Sequence, residues 1–167
     1  MARPDGGGGG GDDDADDVVV RDVVRAVRGT SSAATTMSDD GLEVLSRFDA
    51  LSALSAALDR DDAGDADGVL KRIEDALVEC VRAPDGAASA AVAARVLTRA
   101  YAKTRASSVY SRANELMETA GAAQAPALAR ASAFDALTRL MTAFGDRLHG
   151  CVHGFMSVAY ASAKPSD

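Results

Sequence analysis

From Gly41 onward, apolar residues recur every three or four positions, and no stretch alternates with the period of two that a strand needs. A chain patterned this way buries its apolar faces by packing helix on helix. The apolar residues are also small: hydrophobic residues make up 47% of the chain but aromatics only 4%, and tryptophan is absent, so Ala, Val and Leu carry the pattern. Because the distance between packed helices follows side-chain size, such a composition favours closely approaching helices over a cavity-bearing core.

Six helices are expected. The first, 42 to 58, aligns Leu45, Phe48, Leu51, Leu54 and Leu58, with Asp39 and Asp40 placed to cap it. The second, 68 to 82, repeats the pattern with Leu70, Ile73, Leu77, Cys80 and Val81, and Pro84-Asp85-Gly86 stops it. The third, 88 to 104, turns Val96, Leu97, Ala100 and Tyr101 inward. The fourth begins near Ser107 or Ser108, buries Tyr110, Ala113, Leu116 and Met117, and has Gly121 as its C-terminal cap. Pro126 suits the first turn of the fifth, which carries Leu128, Phe134, Leu137, Leu140, Met141 and Phe144. After a Gly145-Asp146 corner, the sixth, 147 to 161, carries Leu148, Cys151, Val152, Phe155, Met156 and Ala159, and leaves Val158 and Tyr160 as exposed apolar candidates.

Grouped by the breaks at 83–87 and 121–126, these helices form three hairpins of roughly 34 to 42 residues, a period typical of α-solenoids. The expected fold is therefore an all-α, HEAT-like solenoid segment over residues 41–167, with a compact up-and-down bundle as the alternative. Residues 1–40 are a separate matter. Gly6 to Gly11 and the run Asp12, Asp13, Asp14, Asp16 and Asp17 cannot form a core and are expected to be disordered. They lead into VVVRDVVRAVR, where Val20, Val23, Val24 and Val27 share one face and Arg21, Arg25 and Arg28 another. This reads either as a short partner-binding helix or as a poorly ordered Val-rich stretch, with a linker after it.

Charge is unevenly spread. The net charge is −7; residues 1–40 hold nine Asp against four Arg, so the remaining chain carries only −2. Between Asp85 and Glu115 there is no acid, whereas Arg95, Arg99, Lys103, Arg105 and Arg112 lie there. Arg95, Arg99 and Lys103 recur every four residues on one helix face. They are the candidate partner-binding residues, together with Arg105 and Arg112, for an acidic peptide, a phosphate or the chain's own acidic segment; the plain alternative is a solvated helix face. Nucleic-acid binding would want more positive charge and stacking aromatics.

Catalytic and metal signals are weak. His149 and His153 are spaced i, i+4, but HGCVH lacks the Glu of HExxH and a third ligand, so both read as surface or interface histidines. Residues 59–70 faintly imitate a calcium loop, but Ala63 and Leu70 occupy liganding positions, and a solvated acidic connector explains them better. Gly150 and Gly154 form a small-xxx-small pair suited to close approach of a neighbouring helix. No catalytic elbow, triad or phosphate loop is present, so no cofactor or metal is expected. Two cysteines, Cys80 and Cys151, fit a reducing compartment, and with neither a signal-peptide layout nor a long apolar run the chain reads as soluble and cytoplasmic.

The segment PDGAASAAVAARVLTRAYAKTRASSVYSRANELMETAG, followed by PALARASAFDALTRLMTAFGDRLHG, resembles the amino-terminal HEAT repeats of the large trafficking scaffolds called HEAT repeat-containing protein five in animals and SWEETIE in plants. Leu97 and Tyr101 closing one helix, Ser108-Val109-Tyr110 with Asn114 opening the next, and Leu137 ahead of the Phe144-Gly145-Asp146-Arg147 corner carry the resemblance. It extends back to about Val44 and excludes the glycine- and aspartate-rich tail. The resemblance implies an N-terminal piece of a longer, non-catalytic scaffold. It also implies work with clathrin-adaptor and accessory proteins between the trans-Golgi network and endosomes, peripheral to those membranes through its partners. Two other readings stay open: a small helical bundle with a metal-dependent role through His149 and His153, and a basic-surface binder of lipid or nucleic acid.

Overall fold

The computed structural model describes residues 47–59 and 66–163. Every regular element among them is helical: α1 (Arg47–Asp59), α2 (Ala66–Arg82), α3 (Ala87–Thr104), α4 (Val109–Gly121), α5 (Ala127–Phe144), a 3-10 turn (His149–Cys151) and α6 (Val152–Ala163). The tail, Leu45, the Asp39–Asp40 cap and half of the acidic 59–70 connector, residues 60–65, lie outside the described residues.

The helices make two rows. In one, α3 lies between α1 and α5; in the other, α4 lies between α2 and α6; and α2 packs on α3 and α4 on α5 across the rows. The second row keeps a constant register. Arg82 reaches Thr119 and Arg112 reaches Asp75, both at a separation of 37 residues. Cys151 lies against Asn114 at the same separation. Side by side at that offset again are Met117 with Gly154 and Gly121 with Val158. Thus α2, α4 and α6 run parallel, each displaced from the last by one 37-residue unit.

This pairing corrects the expected hairpins. The helices pair across the breaks rather than between them: the four-residue turn 83–86 folds α3 back onto α2, and residues 122–126 fold α5 back onto α4. Pro126 is the residue before α5 and not within its first turn; likewise Gly121 ends α4 as a helical residue, with Ala122 as the cap. At Arg105–Ser108 the chain instead passes from one packed pair to the next. Arg105 adopts a left-handed φ of 54° as the cap of α3, and its N–H bonds the carbonyl of Tyr101 at 3.0 Å.

Packing explains the alanines. Because α3 has three neighbours, it buries Ala90, Ala93, Ala94 and Ala100 as well as Val92, Val96, Leu97 and Tyr101, and α5 answers with buried Ala129, Ala133 and Ala136. Leu51, Leu54, Leu58, Leu70, Ile73, Leu77, Cys80, Val81, Leu116, Leu137, Leu140, Leu148 and Cys151 complete the core. In the second row the glycines do the same work: a Cβ on Gly154 would stand 2.9 Å from the Met117 sulfur, and one on Gly150 3.2 Å from the Tyr110 hydroxyl. Burial also pushes the Cys151 thiol above its ordinary pKa, and contact with Tyr110 only partly offsets this.

Five residues expected inside are exposed: Phe48, Tyr110, Leu128, Val152 and Met156. Phe48, Tyr110 and Leu128 lie at or near the start of their helices, and Val152 and Met156 on the side of α6 turned away from α4. The alanine contacts are directly testable. Ala93→Leu, at a fully buried position, should destabilise by about 1–3 kcal/mol, whereas Ala91→Leu, on the exposed face of the same helix, should change stability by less than about 0.5 kcal/mol; urea denaturation of the two variants checks both.

Candidate functional site

On α2, Glu74 interrupts an otherwise apolar stripe, between Ile73 and Leu77, and only 9% of its surface is exposed. A carboxylate in that position must find protein partners. Tyr101, fully buried at the end of α3, donates its hydroxyl to Glu74 Oε1. From α4, Arg112 brings Nε to within 3.4 Å of the same oxygen, an ion-pair contact without hydrogen-bond geometry. Its remaining nitrogens donate to Asp75 and, at 2.9 and 3.1 Å, to the two oxygens of Glu115. Arg82 extends the network, donating from Nε to Thr119 Oγ1 at 3.0 Å and standing 3.6 Å from Glu115.

Burial pushes the Tyr101 phenol far above its ordinary pKa, and the adjacent Glu74 carboxylate adds to the shift. Burial works against the Arg112 charge, but Glu74, Glu115 and Asp75 outweigh it and raise its pKa. Both groups therefore keep their protons through the physiological range.

Directly over this network, α2 and α4 bound an open groove of about 710 Å³. Its apolar lining is Val78 on α2 together with Ala83, Ala122 and Ala125 in the turns that follow α2 and α4. Its walls carry Asp75 and Glu79 from α2 and Glu115 and Glu118 from α4, against Arg82 and Arg112. The arginines are neutralised by the contacts just described. Glu79 and Glu118 are exposed and form no ion pair among the described residues, so the groove presents uncompensated negative charge.

A smaller notch of about 410 Å³ opens beside Tyr101, Ala102, Arg105, Phe144 and Arg147. Here the Phe144-Gly145-Asp146-Arg147 corner acts as a clamp. Arg147 Nη2 donates to the carbonyls of Arg105 and Ala106 at 2.8 and 2.6 Å, and its guanidinium lies over Phe144, 5.7 Å from the ring centre. Phe144 in turn meets Tyr101 edge to face at 6.4 Å. A cation thus closes the negative end of α3.

The five candidate basic residues do not form one surface. Arg95, Arg99 and Lys103 line the exposed face of α3, where Arg99 also donates to Ser55 of α1 at 3.3 Å. Arg105 belongs to the notch. Arg112 sits between α2 and α4 with its charge consumed by three carboxylates. Sequence reading grouped it with the others because nothing local reveals a partner 37 residues away. Glu74 and Tyr101 it missed as a pair, although a glutamate inside the apolar stripe of α2 was a visible signal.

His149 lies in the 3-10 turn, with Nδ1 3.2 Å from the Asp146 carbonyl, and His153 in α6, so the two do not share one regular helix. Among the described residues, no three His, Cys, Asp or Glu side chains converge as a metal site. None of the described helices is long and apolar enough to cross a membrane. Comparison with protein-family models, with curated proteins and with solved structures yields no match.

The raised phenol pKa has a stability consequence. Stability from neutral Tyr101 is complete below the unfolded value of 10.0 and is lost as pH climbs above it toward the higher folded value. Tyr101→Phe should cost about 1–3 kcal/mol near neutral pH, because Glu74 loses its donor. It should also flatten the fall in stability between about pH 10 and 11.5; denaturant titrations of both proteins across that range measure the two effects.

Proposed function

We propose that this chain is a segment of an α-solenoid that serves as a non-catalytic protein-interaction scaffold. The observation that supports this most is the constant 37-residue displacement from α2 to α4 to α6, since repetition of one unit along a row is how solenoids extend a surface. A compact bundle has no reason to preserve such a register. The exposed stripe Val152, Met156 and Tyr160, on the side of α6 turned away from α4, suits the stacking of a further unit.

On this reading the scaffold is the N-terminal part of a longer HEAT-repeat protein working with clathrin adaptors between the trans-Golgi network and endosomes. This rests on the resemblance to the HEAT repeat-containing protein five and SWEETIE scaffolds. Arg95, Arg99 and Lys103 would then offer one exposed basic face to acidic partner segments.

Affinity capture of the endogenously tagged protein tests it. The expected result is a bait far heavier than 17.1 kDa that brings down adaptor subunits, with recovery reduced when Arg95, Arg99 and Lys103 are all replaced by Glu. A bait of about that mass with no coat component would overturn the trafficking assignment.

A further inference from the structure

The groove between α2 and α4 lacks a positive counterpart among the described residues, and the sequence outside them holds a matching one. We infer that residues 18–28, VVVRDVVRAVR, dock as a helix into this groove and cover it. The inference stands on the groove alone and goes beyond any particular partner of the scaffold.

Three features match. First, both carry small apolar groups: Val78 of α2 and the turn residues Ala83, Ala122 and Ala125 in the groove, against Val20, Val23, Val24 and Val27 in the segment. Second, the charges complement each other. Glu79 and Glu118 stand exposed and unpaired among the described residues, one on each wall, and the segment carries three arginines against one aspartate. At 100° per residue, Arg21, Arg25 and Arg28 fall together about 120° round a helix from the valines, on one flank of the buried face and so beside one wall of the groove, while Asp22 falls on the remaining side, toward solvent. Third, the dimensions agree. The arginines span about 10 Å of helix axis, the same as the roughly 10 Å from Asp75 to Arg82 along α2.

The aspartates before Val18 have to lie clear of the groove's own carboxylates. Asp12 to Asp17 would precede the first turn of the docked helix, where negative charge is favoured, and would extend off the end of the groove. Reach is not limiting: the eighteen residues 29–46 span up to about 60 Å when extended, against a radius of gyration of about 14 Å for a domain of this size. A partner with a stronger basic helix would have to displace the segment, which makes it a built-in competitor for the groove.

Hydrogen exchange on the full 167-residue chain tests the inference, with a synthetic peptide of residues 12–28 as the free reference. Amides of 18–28 should exchange at least about tenfold more slowly in the protein than in the peptide. Glu79→Lys with Glu118→Lys should return them to the peptide rate, with the thermal melt unchanged because both positions are exposed. Replacing Arg21, Arg25 and Arg28 by Glu should do the same, and combining the two charge reversals should restore protection. Exchange at the peptide rate in the unaltered chain would overturn the proposal, as would protection that survives the groove variant. Protection that fades on dilution would also overturn it, placing the segment in the groove of a second copy.

Discussion

Glu74 has almost no access to water and takes its two partners from two other helices: a phenol from α3 and a guanidinium from α4. Satisfying that carboxylate is what fixes α2, α3 and α4 relative to one another. Apolar packing alone would hold these helices together at a range of rotations, because alanine surfaces are smooth and interchangeable. A buried charge tolerates no such range, since any slip that separates it from Tyr101 or Arg112 leaves it unpaired in a low-dielectric site. The network continues outward through Glu115, Arg82 and Thr119, and the register it sets between α2 and α4 recurs between α4 and α6.

That second register is maintained by different means. Between α4 and α6 the contacts are glycine against methionine and tyrosine, and a weak thiol contact between Cys151 and Asn114 at 3.8 Å. Glycine lowers the intrinsic stability of α6, and in exchange lets α4 lie close enough for Met117 and Tyr110 to fill the space. The Phe134–Phe155 stack, with centres 5.5 Å apart, ties α6 to α5 as well. One end of the row is therefore held by ionic constraint, the other by shape.

The two rows also differ in what they offer the outside. On α3, the exposed Arg95, Arg99 and Lys103 give a basic face; between α2 and α4, the surface is acidic with a few small apolar residues. The separation follows from the network itself. Arg112, which the sequence placed in the basic middle of the chain, is drawn into the acidic side and neutralised there. A single molecule thus carries two surfaces of opposite sign.

Much of this was legible in the residues. Among the described residues, the helices, most of their boundaries to within a few positions, and the burial of Leu70, Ile73, Leu77, Val96, Leu97 and Leu137 all follow from the 3.6-residue period, which acts locally and needs no knowledge of neighbours. The close approach at Gly150 and Gly154 was also readable, because absence of a side chain has few other uses inside a helix. Which helices pair, which ends stay open at Phe48, Leu128 and Met156, and where Arg112 spends its charge were decided only by tertiary structure. Periodicity says which face of a helix is apolar, but a partner 37 residues away is chosen by the packing of the whole chain, and burial of a charge is a property of its surroundings rather than of its own segment.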